Sequence, residues 1–313
     1  MIRKEYTTAT QDQPKHKIEW EHYNQTVDAL VAAADTHEGD VSEYLEEQPG
    51  YSELFTITPN ETGTVVVQGT CIDGRIRTSK KNCLYLREGG SGAPLRDDDP
   101  TVRAEHYLQV ADAAAKKSGA KRVEIMLTRH EDCGAEKLSG LSNEEIDRRH
   151  QQVAFHLQAL ATLRELEVVV KRDVINTAHP EGKGLAAAHQ ERALYFTAKD
   201  VLEFNPQAAI DARQLVNGFG LDQTAAANLD PEAERAYLLK NIVVALGIAF
   251  SKSKFSPEKP FILMAAAGSK ATFDQSLDLF AAAKQQFIEQ QQGLSEEREK
   301  LATSIKLMGF IKK

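Results

Sequence analysis

Cysteine is scarce in this chain of 313 residues: there are three, at positions 71, 83 and 133. So few, and an odd number, exclude a disulfide-stapled scaffold and fit a reducing, cytoplasmic setting in which thiols stay available for metal or catalysis. Long apolar runs are missing as well. Nowhere do eighteen apolar residues follow one another, and the opening "MIRKEYTTATQDQPKHK" has neither an apolar stretch nor a small-residue cleavage site. A membrane span and a secretory leader are therefore not expected. Positive charge is outnumbered: 38 Lys and Arg against 46 Asp and Glu leave a net charge of -8 with the two signs interspersed. Without a basic face to neutralise a phosphate backbone, nucleic acid is not an expected partner. Neither cysteine nor histidine occurs after His189, so the last part of the chain lacks the usual soft and borderline metal ligands.

What is present is enough to fold. Hydrophobic residues make up 42% of the chain, sufficient for a real core. Residues 1–15 are polar and read as a flexible N-terminus. Over 16–36, Tyr23, Val27, Leu30, Val31 and Ala34 fall on one stripe at helical spacing. "LFTITP" and "TGTVVVQGT" read as strands rich in β-branched residues, the second apolar enough for burial on both faces. "CLYLREGGSGAPLRDDDP" is a short strand running into a glycine-rich loop, and its Asp-Pro end suits the first turn of a helix. A helical pattern from Thr101 to Ser118 is stopped by Gly119, and "KRVEIMLTRH" resumes as a strand. Ser142, with Glu145 three residues on, opens a further helix that leads to the strand "EVVVKRDVI". Such alternation predicts an α/β layer fold with parallel strands flanked by helices. From residue 191 to 313 helical patterns dominate, with one apolar strand candidate at "PFILMAAAG"; this stretch reads as a mainly helical region to which the sequence assigns no role.

The chemistry-bearing residues sit at strand ends. Cys71 closes "TVVVQGT", while His130 and Cys133 stand in "LTRHEDCGAEKL" at the carboxyl end of another predicted strand. In open α/β sheets, ligands gather beyond the carboxyl ends of the strands, so the three can face one point. Two thiolates and an imidazole make a Cys2His set of the catalytic zinc type, with a fourth tetrahedral position left over, and soft thiolates favour zinc over magnesium or calcium. Either half alone carries little weight, because a buried cysteine is most often a small hydrophobe and a lone His-x-x-Cys arises readily by chance. Their conjunction is specific.

Cys-x-Asp-x-Arg at one strand end and His-x-x-Cys-Gly at another, with a glycine-rich loop and a crossover helix between, resemble the β-class carbonic anhydrases over about residues 60–180. The resemblance implies a β-carbonic-anhydrase-like domain over 16–190. Cys71, His130 and Cys133 would bind Zn2+, Asp73 and Arg75 would form a catalytic dyad, and the reaction would be reversible hydration of carbon dioxide to bicarbonate and a proton. In that family the same Asp also swings onto the zinc in a closed, inactive state. "LREGGSGA" is similar to the family's Arg-Asn-Ala-Gly segment, and Gly134 follows the last ligand as it does there. Gly74 stands where the family has Ser, and the glycine-rich edge is short. The family builds its sites at a dimer interface, which implies a homodimer or higher assembly with the helix at 16–36 as the arm that wraps the partner. The same fold and ligands also serve hydrolases of carbon disulfide and carbonyl sulfide. A reading of another class is a non-catalytic interaction or sensor protein with structural zinc. Among the other histidines, His106, His150 and His156 read as surface or satisfied groups; one of these or His179 is a candidate for carrying protons to bulk, with nothing in the sequence to select among them, and Cys83 is expected to pack.

Overall fold

A computed structural model describes residues 13–73, 83–89, 99–130, 133–163, 167–175, 191–211, 215–226, 229–291 and 295–313. The first half runs α1 (Gln13–Thr36), α2 (Ser42–Glu46), a 3-10 turn (Tyr51–Phe55), β1 (Thr64–Cys71), β2 (Cys83–Glu88), α3 (Pro100–Ser118), β3 (Arg122–His130), α4 (Gly134–Ser139), α5 (Asn143–Ala161) and β4 (Glu167–Ile175). The second half runs β5 (Ala193–Thr197), α6 (Pro206–Asp211), β6 (Gly218–Asp222), a 3-10 turn (Gln223–Ala226), α7 (Pro231–Lys252), β7 (Phe261–Ala267), α8 (Lys270–Gln290), α9 (Ser295–Thr303) and β8 (Ile305–Ile311).

The helix boundaries follow local chemistry. Asp99 accepts a hydrogen bond from the Thr101 N–H, Pro100 fills the first position of α3, and Gly119 ends it in the left-handed region with φ 69°. Ser142 accepts from the Glu145 N–H at 3.2 Å at the start of α5. Asp230 does the same for two N–H groups of α7, ahead of Pro231.

The strands form two four-stranded sheets, ordered β2-β1-β3-β4 and β6-β5-β7-β8, with every pairing parallel. In each, the first strand of the half lies in the middle and the second on the edge. β1 is buried along its whole length, as its unbroken β-branched run requires; Val65 and Val67 pack with Ile125 of β3, Leu108 of α3 and Val153 of α5.

Two expectations are corrected. "LFTITP" is not a strand: Leu54 and Phe55 end a 3-10 turn and are both buried, which neighbours on a pleated strand with one solvent face cannot be. The stretch 191–313 is not helices around one strand but a layered α/β unit with four strands. β5 and β6 have five residues each, and "GFGLD" carries two glycines, a composition that weakens any strand signal.

The halves meet along β2 and β6. The Arg87 N–H donates to the Asp222 carboxylate, the Gly220 N–H donates to the Ile72 carbonyl at 3.0 Å, and Arg103 Nη1 donates to the Ala225 carbonyl at 2.9 Å. Gly220 is required there, since a Cβ would collide with the Arg87 side chain. Helix α1 lays Val27, Leu30 and Ala34 on the second sheet, in one core with Met264, Met308 and Phe310. Among the described residues no helix is long and apolar enough to cross a membrane.

Candidate metal centre

β1 and β3 are parallel neighbours, with Gly69 opposite Leu127, so their carboxyl ends emerge on the same side. Cys71 is the last residue of β1 and His130 the last of β3. Cys133 is the extended residue that caps α4. Strand pairing and the α3 crossover thus bring together residues far apart in sequence. One ligand atom from each of Cys71, His130 and Cys133 lies within 4.8 Å of the others, and the two sulfurs are 3.6 Å apart. All three are buried, at 3%, 2% and 2% exposure.

Nearby residues hold this arrangement. Arg129, beside His130, donates from Nε and Nη2 to both oxygens of Glu136 at 3.1 and 2.9 Å, clamping the start of α4 to the end of β3. That hydrogen bonding is also the main reason the Arg129 guanidinium is held above its ordinary range. Asp73 is buried, with Oδ2 3.9 Å from His130 Nε2. Arg75 and Gly74 lie outside the described residues, as do most of the glycine-rich loop after Gly89 and His179.

Without a metal the two thiols behave as a pair. Cys71 is held well below the ordinary thiol range, first because Cys133 donates a hydrogen bond to it, with burial opposing. Cys133 is pushed up, first by that same bond and then by burial. Two sulfurs and an imidazole in buried, mostly apolar surroundings suit a soft or borderline divalent cation, where a hard one would ask for oxygens. The group could hold a metal ion.

The remaining candidates fall away from the centre. Cys83 packs in β2 with Val66 and Tyr85, as expected. His150 is buried and accepts a hydrogen bond from Arg172 Nε at 3.1 Å; burial first, then the Arg172 charge, push its pKa down to about 3. His156 Nδ1 is 3.3 Å from the Thr101 hydroxyl. His106 is buried on α3.

The sequence reading missed a wall of the site supplied by the second half. Cys71, Ile72 and Cys133 share one core with Ile242, Ala245 and Leu246 of α7. On α7, Tyr237 donates to Glu88 Oε2 at 3.2 Å, Asn241 presses its carboxamide oxygen on Gly89, and Ile248 Cδ1 comes within van der Waals reach of a Cβ built on Gly134. The spacing of Tyr237, Asn241 and Ile248 along one helix face was the available signal, but nothing in it pointed across to the first half. Compared with known proteins, the chain matches no protein-family model, and no curated protein is similar to it in sequence.

Proposed function

We propose that the centre holds zinc and that the protein catalyses reversible hydration of carbon dioxide to bicarbonate and a proton. The observation that carries this reading is the buried convergence of Cys71, His130 and Cys133 within 4.8 Å, with the Asp73 carboxylate beside it. When bound, zinc would lower the pKa of a coordinated water to about 7 and so supply a nucleophile for an electrophilic carbon at neutral pH.

The protein's own residues do the rest. Cys71 and Cys133 supply anionic sulfur, and Glu136 contributes a backbone hydrogen bond that favours the Cys133 thiolate. Asp73 would accept a hydrogen bond from the attacking oxygen, orienting it, and would take part in moving the proton outward. In this reading Arg75 keeps Asp73 ionised. The apolar side chains around the thiols, Ile72 and Ile242 among them, suit an uncharged, linear substrate and exclude bulk water from the reacting carbon.

The test is stopped-flow carbon dioxide hydration combined with metal analysis of the wild type and of Cys71→Ser. The wild type is expected to carry zinc and accelerate hydration, and Cys71→Ser to lose both. A zinc-filled wild type with no rate above buffer overturns the reading. If that inert protein hydrolyses carbonyl sulfide or carbon disulfide, the site belongs to that reaction instead.

A further inference from the structure

The two halves share more than contact. Each is a parallel sheet with the same strand order, a long helix between its second and third strands (α3 and α7) and another between its third and fourth (α5 and α8). Placing Asp73 on Asp200 sets Cys71, the last residue of β1, on Ala198, the residue that follows the end of β5. The parallel registers, Gly69 opposite Leu127 and Phe196 opposite Ala265, then carry His130 onto Gly268, and Ala271 stands as far along the chain from Gly268 as Cys133 does from His130. Every ligand position of the first half is alanine or glycine in the second. The retained Asp200 is engaged differently: it accepts from the Gly268 N–H at 2.8 Å, from the Ser269 hydroxyl at 3.2 Å and from the Thr272 hydroxyl at 2.7 Å. The carboxylate is tied to the start of α8.

We infer that residues 191–313 are an in-chain partner subunit: among the described residues they hold no metal-ligand group of their own, and they complete the metal site of the first half with α7. This deepens the proposed function and rests on a metal binding at Cys71, His130 and Cys133. Three observations support it. The halves join through corresponding edge strands, β2 and β6, where Arg87 meets Asp222. The thiols belong to the same core as α7. And α1 packs Val27, Leu30 and Ala34 into the core of the second half of its own chain.

The experiment measures zinc per chain by elemental analysis and the rate of zinc transfer to excess chromogenic chelator, in the full-length protein. One zinc per chain is expected. Ile248→Ala, which opens α7 over Gly134, is expected to release zinc about tenfold faster, in line with losses on removing support around metal ligands. Ile248→Leu, which keeps a δ-carbon over Gly134, should hold the wild-type rate, and Lys240→Ala, on the exposed side of α7, should leave it unchanged. Two zinc ions per chain, or a wild-type release rate in Ile248→Ala folded normally by circular dichroism, overturns the inference. Neither readout uses activity, so a protein inert toward carbon dioxide that passes both tests refutes only the reaction.

Discussion

Asp73 and the three ligand residues can be separated by substitution. Asp73→Asn keeps the size of the side chain and leaves both sulfurs and the imidazole in place, so zinc content is expected to stay at the wild-type level. The hydration kcat should fall about 100-fold, the usual scale for a positioned acid–base group. Loss of zinc along with activity would make Asp73 a ligand instead. At the seam between the halves, burial raises Asp222 to about 6 from an ordinary value of 3.8, with the Arg87 N–H opposing. Because the folded value lies above the unfolded one, the associated stability is fully present below about pH 4 and is lost as pH rises through about 6, amounting to about 3 kcal/mol. Asp222→Asn, which keeps an acceptor for Arg87, should flatten the fall in denaturant stability between pH 4 and 7; an unchanged slope contradicts the assignment. The ligands were legible at this scale because thiol and imidazole chemistry narrows their roles and strand ends fix their direction. Asn241 and Ile248 were not, because a helix face shows in sequence that it is buried but not against what.

Among the elements, β1 carries the centre's geometry. Tyr107 of α3 lies across Gly69, where a Cβ would land inside the tyrosine ring and hydroxyl. Gly69→Ala is expected to destabilise the fold by about 2 kcal/mol through overpacking. Tyr107→Phe in that background, which removes the hydroxyl, should recover part of the loss in chemical denaturation; no recovery would place the strain elsewhere. β1 and β3 were readable from β-branched runs ending at chemically distinctive residues. β5 and β6 were not, since short fully buried strands show no alternation and the two glycines of β6 weaken its signal further; β8, IKLMGFI, is interrupted by Gly309. The Tyr51–Phe55 turn imitated a strand through its apolar residues alone.

For the whole molecule, the shared core of the thiols and α7 implies that the halves unfold together. Calorimetry should give one cooperative transition, and zinc removal by chelator should lower its midpoint by several degrees, since a ligand at about 100 times its Kd contributes about 2.7 kcal/mol. Two separate transitions, with only one responding to chelator, would contradict a joint unit. The repeated topology was invisible in the sequence for a physical reason. Parallel sheets constrain burial and length far more than residue identity, and the cysteine and histidine chemistry of the first half has no counterpart in the second, where neither residue type occurs after His189.

X-ray absorption at the zinc edge of the purified full-length protein tests the central claim most directly. Zinc held by Cys71, His130 and Cys133 should give two sulfur scatterers at about 2.3 Å and one imidazole nitrogen at about 2.0–2.1 Å, with one further light atom. A shell of oxygen and nitrogen alone, or a spectrum unchanged by Cys71→Ser, would contradict it.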